Sequence, residues 1–238
     1  YNTIGTVPVV YGPLNFDIRA NTDYGRGKGV EFSIEKKFSQ NYLVNFKYDF
    51  AFAKGKASSD VAAIQQRLEN VPVNYDEYPL SWDERHRVNL YVSVRYQYGE
   101  HPKFFGLTLP DDWLATILWE YGSGTPYTPS EYLTGQSPNL ILTNSARMPW
   151  TEKTSLKFEK YFRLTEDART QLVLGIDVDN LFDKRNVITL YSQTGNPYEA
   201  IHPDNPAYDP NNSRYEYDRN PRNFSPGRHI TMRVGFQF

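Results

Sequence analysis

The chain has 238 residues, no cysteine, 26 Lys and Arg against 28 Asp and Glu, and a formal net charge of -2. Without cysteine there is neither a disulfide framework nor a thiolate metal site, the near-zero charge gives no support to nucleic-acid binding, and no stretch approaches the ~18 consecutive apolar residues of a spanning helix. Aromatic residues make up 16% of a chain whose mean hydropathy is -0.65, a combination that strands with one apolar and one polar face produce by averaging.

Tyr1 to Val10 contains Gly5 and Pro8 and shows no clean alternation, which makes it a poor closing strand for a small barrel. Phe16, Ile18, Ala20, Thr22 and Tyr24 share parity with Val30, Phe32 and Ile34 across Gly25-Arg26-Gly27, predicting one extended strand, with a hairpin at the glycines as the alternative. After a short connection at Ser39-Gln40-Asn41, Val44, Phe46, Tyr48, Phe50 and Phe52 oppose Asn45, Lys47, Asp49 and Ala51. A long connection over roughly 55 to 82 holds a predicted helix at 59–70, with Ser59 as its cap and Val61, Ile64 and Leu68 on one side. Val88, Leu90, Val92, Val94, Tyr96 and Tyr98 then oppose Arg87, Asn89, Tyr91, Ser93, Arg95 and Gln97. A medium connection, Gly99 to Asp111, leads to a weaker strand through Trp113, Ala115, Ile117, Trp119 and Tyr121.

A second long connection, 125 to 150, precedes another weak strand through Leu156, Phe158 and Phe162, and Leu164 to Ala168 forms a short one. Leu172, Leu174, Ile176 and Val178 oppose Gln171, Val173, Gly175 and Asp177; a third long connection covers 190 to 225. At the end, Ile230, Met232, Val234, Phe236 and Phe238 face away from His229, Thr231, Arg233, Gly235 and Gln237.

This amounts to about seven complete strands, most near the ~9 to 11 residues that cross a bilayer at a tilt. Short connections alternate with long ones, as in outer-membrane barrels. The expected fold is therefore all-β, an antiparallel transmembrane β-barrel, with residues 1–238 forming the carboxy-terminal portion of a single barrel domain. A soluble sandwich with one wet face also alternates; charges on nearly every polar face and aromatics at the ends of the apolar face argue against it. Lys36 and Lys160 fall on the lipid-facing parity at strand ends, where their ammonium groups are expected to reach lipid headgroups. Asn180 has the same parity and is expected at the rim or in a bulge. Closure needs a partner for the Phe238 strand, so the missing strands are expected upstream of Tyr1.

Several motifs, in order, resemble the last third of TonB-dependent receptor barrels. They are Tyr24-Gly25-Arg26-Gly27-Lys28-Gly29-Val30-Glu31, Pro79-Leu80-Ser81-Trp82-Asp83-Glu84-Arg85-His86, and Ser123-Gly124-Thr125-Pro126-Tyr127-Thr128. Asn144, Arg147 and Pro149 follow, then Val178-Asp179-Asn180-Leu181-Phe182 and Ser225-Pro226-Gly227-Arg228 before a final strand ending in Phe238. The resemblance implies a barrel of about 22 strands, of which this chain would supply the carboxy-terminal third, in the outer membrane of a Gram-negative bacterium. It also implies an amino-terminal plug and a TonB box, neither of which is in this sequence, with TonB engaged through the plug. Ile230, Met232, Val234, Phe236 and Phe238 would be the signal read by the barrel-assembly machinery. That signal often has Gly where Arg233 stands, whereas this chain has Gly at 235.

Three functions are weighed: active import of a scarce solute (siderophore, cobalamin, glycan or peptide), a passive porin-like or adhesin-like barrel without a plug, and a rim enzyme. The last would use Asp83 and His86, but no nucleophile motif accompanies them and Gly122-Ser123-Gly124 is not a nucleophile elbow. A rim hydrogen-bond cluster of Asp83, Arg85 and His86 beside an interfacial Trp82 is the favoured reading. No cofactor is called for. The loop from Thr189 to Phe224 carries Asp204, Asn205, Asp209, Asn211, Asn212 and Asp218, oxygen ligands that would suit calcium or a sugar, although their spacing matches no calcium loop. Tyr191, Tyr198, Tyr208, Tyr215 and Tyr217 add flat contact area for glycans or aromatic chelates. Inward charges, among them Glu31, Glu35, Lys47, Asp49, Arg87, Arg95, Lys157, Glu159, Asp177, Asp179 and Arg233, are expected to contact the plug, or water in a porin.

Overall fold

A computed structural model describes residues 2–11, 14–56, 77–129, 142–165, 170–201 and 220–238. The helix expected at 59–70 lies outside them. The strands are β1 (Asn2–Tyr11), β2 (Leu14–Ser39), β3 (Tyr42–Gly55), β4 (Tyr78–Pro79), β5 (His86–Tyr96), β6 (Lys103–Phe104), β7 (Leu107–Thr108), β8 (Trp113–Gly122), β9 (Pro126–Tyr127), β10 (Ala146–Arg147), β11 (Thr151–Arg163), β12 (Gln171–Asp179) and β13 (His229–Gln237). Among the described residues there is no α-helix.

One antiparallel sheet carries the fold, in the order β1-β2-β3-β5-β8-β11-β12-β13, with β4 beside the end of β3. Each long strand pairs with its neighbours in the chain, as expected of a meander joined by hairpin connections. The sheet is open among the described residues: β1 and β13 are its two ends.

Two expectations are decided at the amino-terminal end. β2 runs unbroken through Gly25-Arg26-Gly27. Its first part, Leu14 to Tyr24, pairs with β1, and Gly25 to Ser39 pairs with β3. The first ten residues, read as having no clean alternation and as a poor closing strand, belong to β1 from Asn2 on, with Pro8 opposite Asp17. Its weak alternation misled because an edge strand needs hydrogen bonds along only one side, where Pro is tolerated, and the regular pattern of β2 supplies the ladder.

The register explains why alternation is so clear elsewhere. Val44, Val92, Ile117, Leu156, Val178 and Ile230 are consecutive cross-strand partners from β3 to β13. Two residues along, Tyr42, Val94, Ala115, Phe158, Ile176 and Met232 form a second such row. A one-residue slip would turn every side chain of a strand to the other face, so these rows fix the pairing. The opposite face holds Ser93, Thr116, Lys157, Asp177 and Thr231 in one row.

Nothing in the described protein covers the apolar rows. The remaining sheets are only β6–β7 and β9–β10, and the strong contacts between elements run between ladder neighbours. Buried hydrophobic residues are confined to Ala53, Tyr78, Leu80 and Val178 among the described residues, while Val30 and Met232 are 69% and 75% exposed. A sandwich packs two sheets about 10 Å apart, and the described residues contain no such pair.

The short connections lie at one end. Ser39 pairs with Tyr42 across Gln40 and Asn41, whose φ values of 52° and 68° make a two-residue turn of the kind that matches strand twist. Lys36 and Lys160 sit at this end, as their parity required, but their ammonium groups meet protein. Lys36 Nζ donates to the carbonyls of Ser39 (2.8 Å) and Tyr42 (3.1 Å), and Lys160 Nζ donates to those of Asp111 (2.5 Å) and Tyr161 (3.1 Å). Carbonyls at the turns have no partner in the ladder and need donors.

Asp111 also accepts from Gly99 N–H at 2.6 Å. That bond, opposed by partial burial and assisted by Lys160, holds its carboxyl below the ordinary value of 3.8. A depressed folded-state pKa contributes stability above that ordinary value, which is lost as pH falls through the lower one. Gln40 carries a side chain at a left-handed position that favours Asn or Gly. Gln40→Asn should therefore raise stability by several tenths of a kcal/mol to about 1 kcal/mol, read as a higher urea midpoint; an unchanged or lower midpoint would count against the turn assignment.

Candidate functional site

The long connections gather at the other end, where two polar clusters hold them. The first centres on Asp83, which is only 2% exposed. Its Oδ1 accepts from Ala53 N at 2.5 Å, tying the β4–β5 connection to the end of β3. Its Oδ2 pairs with Arg147 Nη2 from β10, with Arg85 Nε at 3.9 Å. Arg147 Nη1 donates to the carbonyls of Asp83 (2.8 Å) and Gly124 (3.0 Å). One guanidinium on β10 thus ties together the β4–β5 and β8–β9 connections, using the fork geometry that Lys lacks.

Neighbouring groups complete this latch. Asn144 Nδ2 donates to Pro79 O at 2.7 Å, and Asn144 N donates to Thr128 Oγ1 at 3.0 Å. Ser123 and His86 exchange backbone and hydroxyl bonds at 2.8 and 3.0 Å. His86 Nδ1 meets Tyr48 OH at 2.9 Å, not Asp83. Asp83 and Arg85 are an ion pair too long for a hydrogen bond, and His86 belongs to a separate set of bonds, so the hydrogen-bonded trio read from sequence does not form. Gly124 is required here, because a Cβ would overlap the Met148 carbonyl.

The second cluster joins the start of β11 to the connection after β12. Glu152 accepts from Trp119 Nε1 at 2.9 Å and pairs with Lys184 Nζ at 3.2 Å. Lys184 lies over the Trp150 ring, and Asn186 bonds the Glu152 backbone in both directions at 2.7 and 2.9 Å. Asn186 N also donates to Ser225 Oγ at 2.9 Å. Asn180 follows directly on β12 at φ 55°, and its amide group holds Lys184 and Pro226. It stands at the strand end as its parity predicted, with a left-handed backbone that Asn tolerates. Sequence reading missed Glu152, Lys184 and Asn186; the only signal was a carboxylate on the apolar parity of a strand.

Between the clusters, on the polar face, lies an open depression of about 430 Å³ lined by Glu84, Arg87, Asn89, Glu120, Lys153 and Asn186 among others. Farther along the same face the charges neutralise one another: Lys47 with Glu31 (2.9 Å), Lys153 with Asp179 (2.8 Å), Lys157 with Glu159 (3.0 Å) and Arg233 with Asp177 (2.8 Å). Three of these pairs bridge neighbouring strands, and Lys157 with Glu159 lies along β11.

Of the loop residues put forward as ligand contacts, Tyr191 forms a bridge with Asn196, and Tyr198 is exposed with its ring 5.2 Å from Phe224. Asp204, Asn205, Tyr208, Asp209, Asn211, Asn212, Tyr215 and Tyr217 lie outside the described residues, as does Asp218. Among the described residues no group of three His, Asp or Glu side chains converges to hold a metal. Ile230, Met232, Val234, Phe236 and Phe238 project from β13 and its end on the apolar face, all well exposed.

No family model, no curated protein and no solved structure matches this chain.

Removing one partner of a fully buried ion pair costs about 3–5 kcal/mol. Arg147 is 26% exposed on its side chain, so solvent recovers part of that loss. Asp83→Ala should destabilise by on the order of 2 kcal/mol, with faster protease cleavage near 125–150; wild-type cleavage rates would remove the latch from the account.

Proposed function

We propose that this chain is a section of the wall of a transmembrane β-barrel, that of a TonB-dependent receptor importing a scarce solute across the outer membrane of a Gram-negative bacterium. The observation that carries the reading is the set of aliphatic and aromatic rows running from β3 to β13 on a one-layer sheet with no protein over them. Such a face is stable against acyl chains, where every backbone group must be paired. The outer edge of β13 and the Gly25–Ser39 edge of β2 have no strand beside them among the described residues, and the remaining staves close the barrel there.

In this reading the polar face lines the lumen and meets a plug, the short connections lie in the periplasm, and the long ones reach outside to capture a siderophore, cobalamin, glycan or peptide. The two clusters hold the roots of those connections on the rim. TonB, driven by the inner-membrane proton gradient, displaces the plug; the barrel-assembly machinery reads β13. The ordered motifs from Tyr24 to Phe238 support the choice of this family over a porin.

An Arg at mid-bilayer on the lipid face costs roughly 2–4 kcal/mol. Val92→Arg should therefore abolish recovery from the outer-membrane fraction, while Tyr91→Arg on the opposite face assembles. Tyr91 serves as the control because Ser93 is buried and bonded to Thr116 at 3.2 Å. Equal recovery of both variants would end the facing assignment. Uptake that stops when the proton gradient is dissipated selects active import, and uptake that persists selects a passive pore.

A further inference from the structure

The β5–β8 connection contains a hairpin that the barrel reading does not use. Lys103 pairs with Thr108 and Phe104 with Leu107. Phe105 and Gly106 make the turn, at φ 47° and 82°. Turns of this geometry favour Asn-Gly, and a bulky side chain in left-handed backbone is unusual. Here that residue is a phenylalanine 94% exposed, flanked by Phe104 at 63% and Leu107 at 70%. The Phe104 and Phe105 rings stand edge to face at 4.7 Å.

The hairpin is held out from a fixed base. Gly99 N–H bonds Asp111 at 2.6 Å, Leu109 N bonds Pro102 O at 2.8 Å, and Glu100 accepts from Gln97 N and from Asn41 Nδ2 of the β2–β3 turn at 2.8 and 3.1 Å. From His101 to Pro110 the chain has basic Lys103 and His101 and no carboxylate. A hairpin arm of this length reaches ~20 Å from its base. At the same end the apolar face closes with Tyr96 against Trp113 at 5.1 Å and Lys36 over the Tyr42 ring at 3.6 Å, the mixture of aromatic and basic groups favoured at a headgroup layer.

We propose that this hairpin is a lipid anchor: Phe104, Phe105 and Leu107 insert into the anionic phospholipid leaflet next to the short-connection end, and Lys103 sits on its phosphates. The inference rests on the reading that the apolar face meets a bilayer. Anionic headgroups match a tip that carries Lys103 and no carboxylate, and Phe104, Phe105 and Leu107 are all exposed there. An apolar segment of this kind sinks ~5–10 Å into the interface.

The chain has no cysteine, so single labels are clean. Phe105→Cys, Leu107→Cys, Ile117→Cys and Tyr91→Cys would each be introduced into the full-length protein, labelled with an environment-sensitive fluorophore and reconstituted into phosphatidylethanolamine–phosphatidylglycerol vesicles. Quenching by a nitroxide lipid and by aqueous iodide is then compared. The anchor predicts lipid quenching at 105 and 107 at least about twofold above that at Tyr91→Cys, with protection from iodide, as befits a tip in the interface. Iodide quenching at 105 and 107 while Ile117→Cys remains lipid-quenched overturns the anchor and leaves the barrel reading intact. Protection from both quenchers at the tip indicates a protein partner and likewise overturns it. Iodide quenching at Ile117→Cys overturns the barrel reading, and the anchor with it.

Discussion

Everything in this structure depends on a sheet with two unlike faces and only one layer. Cross-strand partners such as Val92, Ile117 and Leu156 bring apolar groups together in rows, yet no second sheet or helix among the described residues lies over them. A domain in water normally buries its apolar face against another element. The absence of such a layer makes the surroundings of the sheet part of its stability, which is why the proposed function begins with a bilayer.

The opposite face solves a different problem. Charges there pair within the sheet, along one strand as in Lys157 with Glu159 and across strands as in Arg233 with Asp177. Exposed pairs of this sort contribute little stability each. Their effect is to leave the wall electrically quiet without help from another molecule. The connections are treated differently, since Asp83 and Glu152 are each held by several groups from distant parts of the chain. Stiffness is thereby concentrated where the ladder ends and the loops begin.

The strongest strands were legible in the sequence because burial of one face imposes a period of two. β3, β5, β12 and β13 follow it closely, and β2 was readable across its glycines for the same reason. β8 was weaker because Leu114 and Leu118 stand on the polar parity, opposite Arg95 and Tyr91. β1 was missed since its order comes from its partner. The β4, β6–β7 and β9–β10 ribbons, two residues per strand, are too short for any period to register. Motifs around Asp83 and Arg147 were both noticed, but no local pattern states that residues 64 positions apart form an ion pair. Lys36 and Lys160 stand at strand ends as read, but the carbonyls that they bond were not legible, because parity reports a face and names no acceptor.

Neighbour-only pairing has a consequence for how such a wall changes over generations. Each long connection joins adjacent strands, so its length enters only through loop closure, which grows by about 0.6 kcal/mol for each doubling. Insertions beyond Lys56 or Ile201 would leave every register on either side untouched. The long connections are then free to diverge quickly, while the strands, locked to one another residue by residue, change slowly.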